Sequence, residues 1–144
     1  MKTVTLPNTI TAIKDNAFGY CKSLNEIYIP SSVAYIGNNC FSGCISLKEI
    51  QIPPLLTVIE ENCFSGCKSL RKVNFPNVQN SNEECSETRG HFHKLALIKK
   101  NAFQGSGLEQ INIPPSVSFI DQYAFGECYL LREIIIPSSI TEIK

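Results

Sequence analysis

The stretch "NNCFSGCISL", residues 38–47, returns almost unchanged 23 residues later as "ENCFSGCKSL", residues 61–70. Isoleucines mark further units of this kind, at intervals of 23, 23, 39, 22 and 23 residues: Ile13, Ile36, Ile59, Ile98, Ile120 and Ile143. Self-similarity at a fixed period of about 20–50 residues is the signature of a repeat protein. The chain of 144 residues is therefore predicted to be an array of about five repeats.

Each repeat contains two short extended segments. Ile27 and Ile29 alternate with Tyr28, which predicts a strand with one buried face. A proline then ends the strand, because it lacks the N–H that a strand needs. The prolines share one register: Pro30, Pro53, Pro76, Pro114 and Pro137. Further on, Val33 and Ile36 predict a second short strand with inward side chains.

The pattern N-[AC]-F-x-x-C that follows predicts a single helical turn, with an asparagine well suited to cap it. The asparagines are Asn16, Asn39, Asn62 and Asn101, and the phenylalanines expected in the core are Phe18, Phe41, Phe64, Phe103 and Phe125. One coil cannot bury these groups alone. Stacking coils at the strand spacing of about 4.8 Å gives each apolar residue a counterpart above and below it. The prediction is a β-rich solenoid.

The unit I-x-x-x-A-F-x-x-C-x-x-L-x-x-I-x-I-P-x-S-V resembles the leucine-rich repeat of the BspA, or Treponema pallidum, type. The resemblance implies an α/β, β-rich fold: a right-handed leucine-rich-repeat solenoid of about five 23-residue coils, with a parallel sheet on its concave face, short second strands and single helical turns. We interpret residues 1–144 as one solenoid domain, with repeats starting near residues 13, 36, 59, 98 and 120, a partial repeat at 1–12 and an insert at about 79–95. Members of this family include surface proteins of bacteria and of protist parasites, which implies adhesion to host proteins or to other cells.

The composition excludes several classes of partner. Thirteen basic residues balance thirteen acidic ones, so the chain lacks the basic field that attracts nucleic acid or an anionic membrane. The longest apolar run, "EIIIP", is too short for membrane insertion. The N-terminal sequence lacks the apolar core of a signal peptide, and seven cysteines are an odd number. These features favour a cytoplasmic protein, whereas the resemblance favours a secreted or cell-surface protein, and the localisation stays open between them.

The cysteines raise the question of a metal site. Cys21, Cys44, Cys67 and Cys128 share one repeat position, and Cys40 and Cys63 occupy the position of Ala17, Ala102 and Ala124. A position that accepts either Ala or Cys selects for small volume, and free Cys packs as a small hydrophobe. Stacking would also bring thiols within reach of a zinc ion, or Cys44 within reach of Cys67 for a disulfide. Because repeats four and five continue without two of these cysteines, we predict core thiols, with no metal and no cofactor.

The insert is the one feature that does not repeat. It contains Cys85, His91 and His93, but the spacing C-x5-H-x-H matches no standard zinc site. No acid, base and nucleophile converge in the pattern, so no catalytic residue is predicted and the chain is not expected to be an enzyme. We predict a solvated loop, with a partner contact through His91 and His93 as the alternative.

The candidate binding surface is the outward side of the first strands. Its residues are Glu26, Tyr28, Glu49, Gln51, Lys72, Asn74, Gln110, Asn112, Glu133 and Ile135. This mixed polar stripe suits a protein or a glycan, and it lacks the basic stripe that nucleic acid requires. The alternative is that these side chains only keep a long sheet soluble. Tyr35, Val58 and Phe119 suggest a second apolar row beside the second strands.

These observations predict a non-enzymatic protein-interaction module, resembling a cell-surface adhesin or antigen that binds host or partner proteins through the concave sheet. The alternative is an intracellular structural or scaffold repeat protein within a larger assembly. Solenoids need polar caps at their ends, and neither end of this sequence shows one. We therefore expect a fragment of a longer array or end-to-end self-association.

Overall fold

The structure, a computed structural model, describes residues 2–76 and 94–144. In these ranges it contains short parallel strands and no helix. Three-residue strands alternate with two-residue strands in the order β1 Thr3–Thr5, β2 Ala12–Ile13, β3 Glu26–Tyr28, β4 Tyr35–Ile36, β5 Glu49–Gln51, β6 Val58–Ile59, β7 Lys72–Asn74, β8 Leu97–Ile98, β9 Gln110–Asn112, β10 Phe119–Ile120 and β11 Glu133–Ile135. The predicted β-solenoid of about five coils is confirmed.

The strand register follows the repeat spacing. In β1–β3 Thr3 lies opposite Glu26, one 23-residue unit away. The interval of 39 residues also corresponds to one coil, because Ile59 in β6 lies opposite Ile98 in β8. β3 lies beside β5 and β7 beside β9, so the three-residue strands line one side of the array. The coils that precede and follow residues 77–93 therefore pair directly with each other.

Ladders of identical side chains fill the interior. Phe41, Phe64 and Phe103 are fully buried. Along the series Phe18, Phe41, Phe64, Phe103 and Phe125 the ring centroids lie 5.4, 5.4, 5.3 and 5.5 Å apart, with nearly parallel planes. Each ring thus contacts its counterpart in the neighbouring coil, and this contact adds to the free energy gained by burying the ring.

The segment predicted as a helical turn is instead a series of hydrogen-bonded turns, and the asparagines do not cap a helix. Asn39 has a φ of 54° and Gly43 a φ of 69°, both in the left-handed region. Asparagine and glycine adopt this region at the lowest cost. The Asn39 N–H donates to the carbonyl of Glu61 in the next coil, and the Ser42 N–H donates back to the carbonyl of Asn39. The turn therefore shares its hydrogen bonds between coils, which a helix could not do.

The fourth coil is one residue short, and Arg71 of the preceding coil compensates for it. Its Nη1 donates to the carbonyl of Lys68 at 2.8 Å and to the carbonyl of Gly107 at 3.0 Å, and its Nε lies 3.2 Å from the Glu109 carboxylate. A side chain at Gly107 would collide with the Arg71 guanidinium and with the Lys68 carbonyl. The glycine thus leaves room for an arginine that binds two coils together.

Candidate functional site

The ten residues predicted for binding all lie on the outward side of the three-residue strands, which we call the strand face. These residues are Glu26, Tyr28, Glu49, Gln51, Lys72, Asn74, Gln110, Asn112, Glu133 and Ile135. All are exposed except Asn74, which is half-buried. The middle residue of each strand points inward, as Ile50 does between Glu49 and Gln51. The alternation of side chains along a strand therefore separates the core from this surface.

A hollow of about 290 Å³ lies in the part of the strand face nearest the N-terminus. Its lining residues are Thr3, Val4, Thr5, Glu26, Ile27, Tyr28, Glu49, Gln51 and Asn74. Five of the ten predicted residues thus meet around one depression. The others, from Lys72 and Gln110 onward, lie on the strand face outside this lining.

Thr3 and Thr5 belong to the hollow but were missed by the sequence prediction, which began the stripe at Glu26. Thr3 lies opposite Glu26 and Thr5 opposite Tyr28 in the parallel pair of β1 and β3. Counting back one 23-residue unit from Glu26 and Tyr28 leads to these two threonines. The partial repeat at the start of the chain therefore supplies one wall of the hollow.

The hollow combines three kinds of chemistry. The Tyr28 ring is 60% exposed, so it can pack against a ligand or a cation. Gln51 and Asn74 offer amide donors and acceptors, which suit a peptide backbone. Glu26 and Glu49 offer carboxylates, which accept hydrogen bonds and attract cations. These groups can contact a ligand through hydrogen bonds and through the tyrosine ring.

The second strands carry a row of partly exposed apolar side chains that is continuous from coil to coil. Val58 lies opposite Leu97, and Leu97 lies opposite Phe119. Lys144 places its Nζ 5.4 Å from the centroid of the Phe119 ring. The prediction of an apolar row beside these strands is confirmed for Val58 and Phe119.

Tyr35 holds the equivalent repeat position on β4, where it contacts polar neighbours. The Lys14 Nζ lies 5.9 Å from its ring centroid, and its hydroxyl donates to the Asp15 carboxylate at 3.1 Å. Hydrogen bonds from Asn38 and from Tyr35 lower the pKa of Asp15. Burial, and then the contact with Asp15, raise the pKa of Tyr35. These contacts already occupy much of Tyr35's polar surface, so the row is a weaker candidate than the strand face.

Four of the described cysteines are part of the core. Cys40, Cys44, Cys63 and Cys67 are buried, and all six cysteines among the described residues are free thiols. Burial raises the pKa of Cys40 to about 12 and that of Cys44 to about 11, so these thiols stay protonated at neutral pH. Within residues 2–76 and 94–144, no group of three or more potential ligands could hold a metal ion.

The shared cysteine position also makes hydrogen bonds that the sequence did not reveal. The Sγ of Cys44 donates to the carbonyl of Phe18 at 3.1 Å, and the Sγ of Cys67 donates to the carbonyl of Phe41 at the same distance. The Sγ of Cys128 likewise donates to the carbonyl of Phe103 at 3.1 Å. Each thiol therefore links two neighbouring coils, which a purely apolar side chain would not do.

The insert residues Cys85, His91 and His93 lie outside the described residues, so their predicted loop and partner contact stay predictions. In the part of the chain that the structure describes, no helix is long and apolar enough to cross a membrane. The described segment resumes at Lys94, just before β8.

Solved structures of other proteins share this architecture. A leucine rich cell surface protein from Faecalibacterium prausnitzii has a TM-score of 0.63 over 93% of this chain, at 28% identity. A Treponema pallidum leucine rich repeat protein has a TM-score of 0.70 over 94% of the chain, at 25% identity, and this chain covers 70% of it. The pneumococcal vaccine antigen PcpA has a TM-score of 0.70 over 92% of the chain, at 25% identity.

The present chain spans 38% of the Faecalibacterium protein and 29% of PcpA. Among curated protein sequences, none matches this chain significantly. The sequence profile of the BspA type leucine rich repeat region matches residues 1–89 and 96–144, in six copies. The matched residues that the structure describes form the parallel solenoid described above. The chain therefore belongs to the BspA-type leucine-rich repeat family.

Proposed function

We propose that this chain is a non-enzymatic protein-interaction module that binds a partner protein through the strand face. The observation that carries the proposal is the hollow of about 290 Å³, where five of the ten strand-face residues meet two threonines of β1. A surface of exposed tyrosine, amide and carboxylate groups on a rigid array of strands resembles the protein-binding surfaces of repeat proteins. A glycan is the alternative ligand for the same groups.

We further propose that the module acts in a cell-surface adhesin. The support is the similarity to the Faecalibacterium prausnitzii protein, which is a cell surface protein, and to PcpA, which is a vaccine antigen. In that setting the partner is a protein of a host or of another cell.

Photo-crosslinking tests the binding surface. A photoreactive phenylalanine analogue at the position of Tyr28 should crosslink the partner, whereas the same analogue at the position of Tyr129 should not. Tyr129 is the matched control, because its side chain is 86% exposed and lies outside the strand face.

A combined variant, Tyr28→Ala with Gln51→Ala, Asn74→Ala and Asn112→Ala, then measures how much binding the strand face provides. It should abolish retention of the crosslinked partner without a change in the unfolding temperature. The control variant Gln122→Ala with Tyr129→Ala should retain the partner. Full retention by the fourfold variant would show that the strand face is not the binding surface.

The second candidate is an intracellular scaffold protein, and one observation favours it. All six cysteines that the structure describes are free thiols, which is typical of a reducing compartment. Biotinylation of intact cells separates the two settings. If the chain is labelled on intact cells, the result supports the adhesin. If the chain is labelled only after the cells have been lysed, the result supports the scaffold.

End-to-end self-association and the interpretation of residues 1–144 as one domain stay proposals. Analytical ultracentrifugation over a range of concentrations tests the first, since stacking of chains would increase the sedimentation coefficient with concentration. Urea unfolding followed by two probes tests the second, since one domain should give one coincident transition.

A further inference from the structure

The charged side chains that line the hollow are all acidic. Among the nine residues that line it, the charged ones are Glu26 and Glu49, and neither Lys, Arg nor His is among them. The chain as a whole has thirteen basic and thirteen acidic residues, so it carries no net charge that would explain this imbalance. A negatively charged hollow on a neutral protein favours a positively charged ligand.

Glu26 has no basic residue opposite it on its paired strand, whereas Glu49 has Lys72 opposite it. The two glutamates hold the same position in the neighbouring strands β3 and β5. The ion pairs among the described residues, Arg71–Glu109 and Lys99–Glu60, include neither of them. Lys72 faces Glu49 from β7, on the side away from Glu26, but it does not line the hollow.

The other lining groups complete a site for one cationic side chain. The exposed Tyr28 ring can contact a lysine ammonium or an arginine guanidinium through its face. Gln51 and Asn74 can bond to the backbone that carries that side chain. The volume of about 290 Å³ is just below the range of about 300–1,000 Å³ for ligand pockets, so the hollow fits a side chain and its backbone rather than a whole folded ligand.

On this basis, and resting on the proposed function above, we propose that the hollow binds a lysine or arginine side chain carried by an extended segment of the partner protein. The carboxylates of Glu26 and Glu49 bind the cation, and Tyr28 covers its aliphatic stem. Binding at the hollow thus selects basic segments over neutral and acidic ones.

Short synthetic peptides test the proposal without a known partner. Three peptides alternate serine with lysine, with glutamine or with glutamate, because every second side chain of an extended peptide points to the same side. Each is titrated into the isotopically labelled chain, and backbone amide shifts are followed by NMR. The lysine peptide should shift the amides of Glu26, Tyr28 and Glu49 and bind about tenfold more tightly than the glutamine peptide, with the difference shrinking at high salt.

Charge-neutral variants assign the effect to the hollow. The double variant Glu26→Gln with Glu49→Gln should weaken binding of the lysine peptide about tenfold. Glu133→Gln is the matched control, because Glu133 holds the same strand position in β11 but does not line the hollow, and it should leave binding unchanged. All these side chains are exposed, so the exchanges should not affect folding.

Three results would overturn the proposal: equal binding of the lysine and glutamine peptides, an equal loss from Glu133→Gln, or a neutral oligosaccharide that shifts the same amides while the lysine peptide does not. The proposed function is tested separately by the crosslinked partner. Retention of that partner could require Tyr28 and Gln51 and yet tolerate the double variant Glu26→Gln with Glu49→Gln. In that case the strand face is the binding surface, but the proposal of a basic ligand is wrong. If retention tolerates both variants, the proposed function fails.

Discussion

The inward and outward side chains of the same strands follow opposite rules. In β5, Ile50 is 1% exposed, whereas Glu49 and Gln51 on either side of it are exposed. The inward position is isoleucine or valine in every three-residue strand, and the outward positions vary among threonine, glutamate, lysine, glutamine, tyrosine, asparagine and isoleucine. An inward residue must fit its counterparts in two coils, whereas an outward residue contacts solvent. Only the outward side can therefore vary to recognise a ligand.

The largest expected effect comes from the phenylalanine ladder. Phe64→Ala removes a fully buried ring that stacks on Phe41 and on Phe103, so the free energy of unfolding should fall by about 3–5 kcal/mol. Urea denaturation followed by circular dichroism measures the loss. Phe125→Ala is the matched control, since that ring is only half-buried and should cost less. Equal losses from the two variants would show that the burial of a phenylalanine ring does not determine how much it contributes to the free energy of unfolding.

Alkaline pH should destabilise the array through its buried thiols. Cys40 ionises near 9.0 in an unfolded chain, and burial raises its pKa to about 12 in the fold. The thiol therefore contributes full stability below pH 9, and this stability is lost as the pH rises from 9 towards 12, because the unfolded chain releases the proton first. The loss is about 1.4 kcal/mol per pH unit for each thiol.

Urea denaturation at a series of pH values measures this slope. Cys40→Ala is the control, since alanine occupies the equivalent position at Ala17 and Ala102. The variant should show a shallower decrease in stability above pH 9. An unchanged slope would mean that Cys40 is not responsible for the alkaline loss.

Arg71 should have an intermediate effect, because its side chain joins one coil to the short coil that follows. Arg71→Ala removes the hydrogen bonds to the carbonyls of Lys68 and Gly107, and we expect a loss of about 1–2 kcal/mol in the free energy of unfolding. Glu109→Gln is the control, since its ion pair with Arg71 is largely exposed and should contribute less than about 0.5 kcal/mol. If Glu109→Gln costs as much as Arg71→Ala, the ion pair and not the carbonyl contacts stabilises the short coil.

The smallest expected effect is on the strand face. Gln51→Ala should change the free energy of unfolding by less than about 0.5 kcal/mol, because the side chain is exposed. Ile50→Ala, one residue earlier in the same strand, should cost about 2–5 kcal/mol, because it is buried. Thermal and urea unfolding of the two variants compare them directly. Similar losses would contradict the division between a core side and a binding side.

Much of the fold and part of the candidate site follow from the sequence. The positions of the isoleucines and prolines predict where each three-residue strand lies and where it ends, and the ten strand-face residues lie where the alternation places them. The turns were mispredicted, because N-[AC]-F-x-x-C looks helical in one repeat alone. Its hydrogen bonds run to the next coil, as from Asn39 to Glu61, and local propensity does not contain that partner.

The sequence by itself determined the repeat, and with it the parallel stack, the inward ladders and the outward stripe, because each depends only on residue type and a period of about 23. The tertiary structure decided which groups meet across coils. It brought Thr3, Thr5, Glu26 and Tyr28 into the lining of one hollow, it paired Cys44 with the carbonyl of Phe18, and it placed Arg71 over Gly107. The period alone places Thr3 and Thr5 beside Glu26 and Tyr28. The hollow and the contacts of Cys44 and Arg71 also depend on how side chains of neighbouring coils are oriented, which the period does not specify.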